Sequence, residues 1–260
     1  MKEYLTGASG FLGRNLAEKL KGEVVTIPHA DISFTILEPF DRFFFLSAYG
    51  NMSFHDDDDM IIKANLLDLV DMATQAKKFD FKSFVYVSTS SVKLPRQTMY
   101  SRTKRAAEEV LLALTENTEL PFCVIRPYSI TGVGEQEEHL IPKLIDSCFT
   151  GKNMTFVPGP VHDFIDVTDV AEAIINLSEA GGKGIYEVGT GVAYTNQDVL
   201  DIVENATGKR ANVTVVPNLR DYDSSDWVCK NFRARTHGWL PKKTLEDSIG
   251  EMVEAYKDAN

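Results

Sequence analysis

The sequence predicts an α/β protein built on a parallel β-sheet that helices cover on both faces. A glycine-rich turn separates the first apolar strand from the first helix, and apolar strands then alternate with helical patterns as far as residue 126. The 260 residues suffice for one large domain, or for one with a small appendage. With 43% hydrophobic and 25% charged residues, the composition excludes a disordered chain.

The first half of the chain contains the strand and helix patterns of the predicted sheet. Strands are predicted at residues 4–5, 24–27, 43–47, 84–88 and 122–126, and helices at residues 11–21, 61–78 and 101–114. Leu12, Leu16 and Leu20 repeat every four residues along the first helix. Buried apolar strands separated by helices are typical of a parallel sheet.

The second half predicts a smaller α/β domain near the carboxyl end. Its helices are expected at residues 140–149, 169–178, 196–207 and 245–256, with strands at residues 154–157 and 185–188. We expect residues 1–127 to form the main domain and to receive strands from about 154–166 and 184–192. Residues 128–260 are then mainly a small domain interleaved with the first.

Charge and cysteine content exclude several classes of function. A formal charge of −11 argues against a nucleic-acid partner or an anionic membrane surface, because both require cationic patches. Three cysteines in no paired spacing predict neither disulfides nor a cysteine zinc site. The acidic run at residues 56–59 indicates a solvated loop or a helix start rather than a metal site. With no apolar run of spanning length and no room for a signal peptide before Thr6, we expect a cytoplasmic protein.

The glycine-rich turn indicates a dinucleotide site. Gly7 permits the tight turn, Gly10 lets the backbone approach a pyrophosphate, and Gly13 allows close packing of helix on sheet. The residues between and after them, Ser9, Phe11 and Leu12, are candidate cofactor contacts. An NAD site usually also has an acidic residue near the end of the second strand, and that residue binds the ribose. Asp31, followed by Ile32, is the nearest, and the choice between NAD and NADP stays open.

A hydroxyl, a tyrosine and a lysine follow the fourth predicted strand. Thr89 comes directly after that strand, and Tyr100 and Lys104 are spaced i, i+4 on a helix, which places both on one face. A lysine ammonium near a phenol is expected to lower the pKa of the tyrosine. Such a tyrosine can exchange a proton with a carbinol while hydride passes to a nicotinamide, with Thr89 orienting the reacting oxygen.

These motifs resemble those of the extended short-chain dehydrogenase/reductases, the NAD-dependent epimerase/dehydratase family that acts on nucleotide sugars. Further similar segments follow along most of the chain, at residues 46–48, 126–132, 163–170, 188–191 and 238–241. The resemblance implies a Rossmann-type, doubly wound parallel sheet with a small C-terminal α/β substrate domain. It also implies that Leu46, Ser47, Ala48 and Pro127 contact the cofactor and that Lys104 binds the nicotinamide ribose.

The same resemblance implies substrate contacts and a dimer. The residues that match substrate-binding positions of the family are Asn65, Ser129, His139, His162 and Arg220. His162 stands where the family usually has an arginine for the diphosphate. Family members form homodimers through the helices at residues 61–78 and 101–114, where Leu66–Val70, Leu111 and Leu112 would supply the apolar contact.

Departures from the family pattern narrow the expected reaction. Dehydratases of this type carry an Asp-Glu pair where this chain has Ser90 and Ser91, so elimination of water is disfavoured. Tyr100, Lys104 and Thr89 suffice for C4 epimerisation, which we prefer, or for reduction of a 4-keto-sugar. A reductase of another carbonyl compound, and a noncatalytic dinucleotide sensor or scaffold, are the remaining alternatives.

Overall fold

The computed structural model describes residues 1–52, 55–116, 118–217, 227–230 and 232–259. The chain divides into two compact units. The first comprises Met1–Pro127, Ala171–Val188 and Asn231–Leu240, and the second comprises Tyr128–Val170, Gly189–Lys230 and Pro241–Asn260. Strands and helices are numbered below along the whole chain.

A six-stranded parallel sheet forms the centre of the first unit. Its strands are β1 (Lys2–Thr6), β2 (Glu23–Ile27), β3 (Arg42–Phe45), β4 (Ser83–Val87), β5 (Phe122–Pro127) and β10 (Gly184–Val188). They lie in the order β10-β5-β4-β3-β1-β2. The order reverses direction between β1 and β3, which is where ligands bind in open sheets of this kind. The sheet is therefore of the doubly wound, Rossmann-like type that the sequence predicts.

Helices of the first unit connect these strands. They are α1 (Phe11–Ala17), α2 (Asp58–Ile62), α3 (Asp68–Ala76), α4 (Met99–Thr115) and most of α6 (Val167–Glu179). A π-helical turn at Lys63–Leu67 joins α2 to α3, and short 3-10 helices occupy His29–Phe34, Ser90–Lys93 and Arg233–His237. Between β2 and β3 the chain therefore forms one 3-10 helix in place of a full helix and strand.

Helices cover both faces of the sheet. On one face Phe43, Phe45, Phe84 and Tyr86 pack in a single cluster that includes Leu69 and Leu111 of α3 and α4. On the other face the strand residues of opposite parity are equally buried. There Arg42 Nη1 of β3 donates to Ser178 Oγ of α6 at 3.0 Å. Burial on both faces explains why these strands are continuous apolar runs.

The π-helical turn changes which face of the helix at residues 58–76 is buried. An α-helical period would bury Ile62 and Leu66, yet both are half-exposed, and Ile61 and Ala64 are buried in their place. The wider turn keeps residues spaced strictly four apart on one side. The acidic run begins this helix as expected, since Asp57 Oδ1 accepts from Met60 N at 2.9 Å.

In its described residues, the second unit contains three small two-stranded sheets. The pairs are β6 (Ser129–Thr131) with β9 (Phe164–Asp166), β7 (Met154–Phe156) with β12 (Val213–Val215), and β8 (Val161–His162) with β11 (Tyr194–Thr195). The prediction that strands from residues 154–166 join the main sheet is therefore wrong. These strands are only two or three residues long and pair with partners of their own unit.

Three helices complete the described part of the second unit and supply its core. They are α5 (Leu140–Thr150), α7 (Asn196–Thr207) and α8 (Leu245–Ala259). Leu144, Val203 and Ile249 are fully buried in one cluster with Phe156. The unit therefore has a hydrophobic core of its own.

A buried carboxylate ties together three segments of the second unit. Asp163 accepts hydrogen bonds from Thr190 N at 2.9 Å, Thr190 Oγ1 at 2.6 Å, Gly191 N at 2.8 Å and Cys229 N at 3.1 Å. Gly189 packs against it so closely that an added Cβ would lie 2.7 Å from Asp163 Oδ2. The carboxylate thus satisfies three backbone N–H groups that lack strand partners.

The described residues contain neither a membrane-spanning helix nor a cluster of metal ligands. None of the helices in these residues combines the length and the hydropathy that a membrane crossing requires. Within the described part of the chain, His, Cys, Asp and Glu side chains nowhere gather in threes that could hold a metal ion. Cys123, Cys148 and Cys229, all among the described residues, are buried and form no disulfide.

Candidate active site

The glycine-rich turn between β1 and α1 is packed so tightly that side chains are excluded. Gly7 has a φ of +71°, and a Cβ there would lie 2.9 Å from Leu46 C and from Ser47 N. A Cβ on Gly13 would lie only 1.9 Å from Gly7 O. Gly10 N donates to Gly7 O at 3.0 Å and closes the turn. The turn therefore presents bare backbone, as close approach of a pyrophosphate requires.

The segment after β3 lies beside this turn. Thr6 Oγ1 accepts from Leu46 N at 3.0 Å and from Ser47 N at 3.1 Å, which fixes the ends of β1 and β3 together. Ser47 Oγ is buried and has no hydrogen-bond partner among the described residues. A buried hydroxyl in this state indicates that a ligand or water completes it. Together with the bare glycine backbone at the sheet's reversal point, these residues fit a dinucleotide.

The other predicted cofactor residues differ in exposure. Ser9 and Ala48 are exposed, Phe11 and Leu12 are half-buried, and Pro127 is buried at the end of β5.

Asp31 and Ile32, the predicted cofactor residues between β2 and β3, differ in burial. Asp31 is exposed on the 3-10 helix, whereas the Ile32 side chain is fully buried in the core of the first unit. Packing therefore occupies the Ile32 side chain and leaves its backbone as the group that can reach a cofactor.

The tyrosine and lysine lie near the start of α4. Thr98 caps this helix through a hydrogen bond from Ser101 N to Thr98 Oγ1 at 3.3 Å. Tyr100 is half-buried and Lys104, one turn later, is only 1% exposed. Lys104 Nζ donates to Val87 O at 2.6 Å and lies 4.4 Å from the centroid of the Tyr86 ring. The structure therefore holds this buried lysine against the end of β4.

Burial shifts the pKa of both groups away from their usual values. It raises the pKa of Tyr100 to about 12, which is opposite to the lowering that the sequence led us to expect. It lowers the pKa of Lys104 to about 7, against an opposing effect of the Glu108 carboxylate. The expectation fails because desolvation of the phenolate outweighs any effect of the Lys104 ammonium. In the protein by itself, Tyr100 therefore carries its proton at neutral pH.

A row of hydroxyls connects Thr89 to the start of α4. Thr89 Oγ1 lies 3.1 Å from Ser91 Oγ, which lies 2.9 Å from Ser101 Oγ, which in turn lies 3.2 Å from Thr98 Oγ1. Ser91 and Ser101 are both buried. From the sequence, Ser91 was notable only as the position of a missing acid, and Ser101 was not predicted to belong to the site. The run of hydroxyl residues after β4 was the available signal.

Asn65 is a positioning residue for the segment after β3. It lies in the π-helical turn, and its Oδ1 accepts from Tyr49 N at 2.9 Å while its Nδ2 donates to Tyr49 O at 2.8 Å and to Thr103 Oγ1 at 3.1 Å. Both ends of the amide are thus committed to the first unit. The amide thereby fixes the neighbouring loop, and its role as a direct substrate contact stays a prediction.

Three predicted substrate residues lie in the second unit. Ser129 Oγ lies 3.4 Å from His162 Nδ1, and the His162 ring lies 5.2 Å from the ring of Trp227. His139 precedes α5, and its Nδ1 lies 2.9 Å from Glu135 Oε1. Arg220, the remaining residue of this set, falls outside the described residues.

Comparisons with known proteins identify the family. A sequence profile described as "NAD dependent epimerase/dehydratase family" matches residues 4–189. Low-salt glycan biosynthesis protein Agl12 of Haloferax volcanii is 25% identical over 72% of this chain and 65% of its own length. UDP-glucose 4-epimerase of Lactobacillus helveticus is 24% identical over 58% of this chain and 52% of its own length. The matched part thus spans between half and two thirds of these relatives.

Solved structures share the fold over the whole chain. UDP-glucose 4-epimerase of Thermus thermophilus in complex with NAD superposes with a TM-score of 0.89 at 21% identity, covering 100% of both chains. UDP-N-acetylglucosamine 4-epimerase of Methanobrevibacter ruminantium gives 0.91 at 18% identity, covering 100% of this chain and 99% of its own. At these identities the likeness establishes the fold. The profile match extends over more than half of the residues, and the chain therefore belongs to the NAD-dependent epimerase/dehydratase family.

Proposed function

We propose that this protein is an NAD-dependent enzyme that acts on a nucleotide-linked sugar and inverts the configuration at C4. The observation that carries the proposal is the buried Lys104, which is held at the end of β4 one helical turn after Tyr100. Burying a lysine costs stability, and proteins keep such costly groups mainly at functional sites. In this family the lysine would act on the tyrosine and bind the nicotinamide ribose. Family membership and the 4-epimerases among its relatives support the same activity.

NAD is the proposed cofactor, with NADP as the alternative. The family is described as NAD-dependent, and the Thermus thermophilus structure contains NAD. In this chain the backbone of Gly7, Gly10 and Gly13 would hold the pyrophosphate, and Ser47 Oγ would complete its hydrogen bonding to the bound molecule. When bound, NAD supplies a nicotinamide that accepts a hydride from a carbinol and returns it.

The chain's own residues supply the proton chemistry. Tyr100, with a pKa raised to about 12, holds its proton at neutral pH and is therefore in the form that donates to a carbonyl oxygen. The reverse step, removal of a carbinol proton, requires a phenolate, which the charge of Lys104 favours. Thr89 orients the reacting oxygen, and the row of hydroxyls through Ser91 and Ser101 fixes Thr89 in turn.

Epimerisation is preferred over dehydration and over reduction. The family resemblance implies that a dehydratase would carry two acids at the positions of Ser90 and Ser91. A hydroxyl is a poor base for removing a sugar proton at neutral pH. A 4-keto-reductase needs the same three residues as an epimerase. The two are distinguished by cofactor use, since a reductase consumes reduced cofactor and an epimerase regenerates its own.

The proposal is tested on purified protein. Mass spectrometry of the released small molecules identifies the cofactor, and UDP-glucose, UDP-galactose, UDP-N-acetylglucosamine and dTDP-glucose are then assayed for epimerisation without added cofactor. We expect Tyr100→Phe to abolish turnover and to leave NAD binding intact. Tyr256→Phe, which removes one hydrogen bond to Asp146, is the matched control. NAD binding without turnover of any sugar nucleotide would favour the sensor, and absence of NAD(P) binding would exclude the proposal.

A homodimer is proposed through the helices at residues 58–76 and α4. Leu67 is 56% exposed and Leu66, Val70 and Leu112 are half-exposed, which leaves an apolar strip on these helices. Leu69 and Leu111, which the sequence analysis placed in the same contact, belong to the core of their own unit. We expect wild type to sediment as a dimer and Leu67→Asp as a monomer. Val192→Asp, which changes an exposed apolar residue away from these helices, is the control. A monomeric wild type at micromolar concentration would contradict the dimer.

A cytoplasmic location and substrate contacts by Ser129, His139, His162 and Arg220 remain predictions of the sequence. The three cysteines form no disulfide in the described residues, which agrees with a reducing compartment. Localisation of the tagged protein tests the compartment. Alanine variants of the four residues are expected to raise KM with little change in kcat if these side chains only bind substrate.

A further inference from the structure

An ion pair between a buried glutamate and a partly buried arginine lies one helical turn beyond Lys104. Arg126 Nε of β5 donates to Glu108 Oε1 at 2.9 Å, and Arg126 Nη2 makes a second bond to Glu108 Oε2. Glu108 is fully buried on α4. The bidentate geometry fixes the carboxylate in one position. Neither residue figured in the sequence-based site, although Arg126 lies in a segment that resembles the family.

Glu108 continues the face of α4 that carries the site. Tyr100, Lys104 and Glu108 are spaced i, i+4 and i+8, so the three side chains follow one another along the same side of the helix. The Lys104 ammonium therefore has a phenol on one side along the helix and a carboxylate on the other. Both Lys104 and Glu108 are buried. In the protein interior a charge acts on its neighbours more strongly than it does at the surface.

Four titratable or charged groups surround Lys104. Tyr100 and Glu108 lie on its own helix, Tyr86 of β4 lies beneath its ammonium, and Arg126 of β5 is paired with Glu108. Among these groups, the Glu108 carboxylate favours the ammonium form of Lys104. The pKa of Lys104 falls to about 7 through burial, and Glu108 acts against that fall. Near neutral pH a small change in its surroundings therefore changes its charge substantially.

We propose that Glu108 is a positioning residue for the Tyr100–Lys104 pair, whose carboxylate, aligned by Arg126, keeps the buried Lys104 side chain charged. Glu108 touches no reacting group in this arrangement and acts through Lys104. Its consequence for catalysis rests on the proposed function, whereas the charge of Lys104 can be measured in protein without cofactor or substrate.

The test follows the Cε resonance of Lys104 against pH in cofactor-free protein made with carbon-13-labelled lysine and assigned with Lys104→Met. In Glu108→Gln we expect the titration midpoint of Lys104 to move to lower pH by about one unit, which is the low end of the shift that a nearby opposite charge produces. Glu109→Gln changes the same side chain at the next, exposed position and should leave the midpoint unchanged. A midpoint that does not move in Glu108→Gln, or that moves equally in Glu109→Gln, overturns the proposal.

One further variant keeps the test available if Glu108→Gln does not fold. Glu108→Asp keeps the charge at a greater distance and should move the midpoint to lower pH by less than one unit. A purely structural role for the ion pair predicts no movement that follows the charge and its distance, and an unmoved midpoint in Glu108→Asp refutes the proposal.

Kinetics then connect the inference to the proposed activity. If wild type turns over a sugar nucleotide, the alkaline limb of its kcat profile should move to lower pH in Glu108→Gln by the same amount as the Lys104 titration. If turnover persists and the limb does not move, only the effect of Glu108 on catalysis is contradicted, and the proposed function stands. Absence of turnover in wild type contradicts the proposed function and leaves the titration result standing.

Discussion

Two helical glycines should respond to the same substitution with opposite signs. Gly13 lies in α1 against the cofactor turn, and Gly250 lies in α8, where an added Cβ would meet nothing within 4 Å. Alanine is a better helix former than glycine by about 1 kcal/mol, so both substitutions gain that amount locally. They differ in what the added methyl group meets.

At Gly13 the methyl group meets backbone. Its Cβ would lie 1.9 Å from Gly7 O, whereas real Cβ atoms come no closer than 3.0 Å, so the difference of 1.1 Å must be relieved by moving α1 or the turn. Overpacking of this kind costs about 1–3 kcal/mol or more, which exceeds the gain in helix propensity. We therefore expect Gly13→Ala to lower the free energy of unfolding by about 2 kcal/mol and to weaken NAD binding at least tenfold, because the moved backbone is the proposed pyrophosphate site.

Urea denaturation and isothermal titration with NAD measure these two effects. Gly250→Ala should be more stable than wild type by up to about 1 kcal/mol and should bind NAD with unchanged affinity. The comparison is matched because each change adds one methyl group inside a helix. If Gly13→Ala is as stable as wild type and binds NAD equally well, the packing argument for the glycine turn is refuted.

Three other predictions concern buried polar side chains. The pKa of Lys104 falls from 10.5 to about 7 on folding, so the unfolded chain binds more protons between these values and stability rises with pH across that window. Lys104→Met should therefore be more stable than wild type by roughly 4 kcal/mol at most at pH 6, with the gap closing toward pH 10.5 in denaturation measured against pH. Asp163→Ala leaves three backbone N–H groups without an acceptor and should cost about 3–5 kcal/mol in urea denaturation; a loss below 1 kcal/mol would mean that water replaces the carboxylate. Asn65→Leu should weaken NAD binding in titration calorimetry without loss of the folded state by circular dichroism, since it frees the loop at Tyr49, and unchanged affinity would remove Asn65 from the site.

The parallel sheet could be predicted because its strands are unambiguous in the sequence. Residues 43–45 and 84–87 are buried on both faces, and such continuous apolar runs between helical patterns have few other interpretations. The strands of the second unit could not be placed in the same way. Segments of two or three residues, such as Val161–His162, carry little periodicity, and their partners lie up to about sixty residues away in the sequence.

The site shows a similar division. Gly7, Gly13, Tyr100 and Lys104 were predictable because their spacing along one turn and one helix reflects local geometry. The raised pKa of Tyr100 was not predictable, since it depends on how completely the surrounding residues exclude water. Glu108 had a visible signal, its i+8 spacing from Tyr100, but the Arg126 that aligns it comes from a separate strand.

The π-helical turn at Lys63–Leu67 makes the length of this helix matter to two distant properties. In an ordinary α-helix a repeat of four residues drifts by about 40° each time, and the wide turn absorbs that drift. Deleting one residue within it would rotate everything on one side by about 100° relative to the other. The Asn65 amide would then leave Tyr49 or Leu67 would leave the surface, so the proposed cofactor binding and the proposed subunit association would both depend on a single residue count.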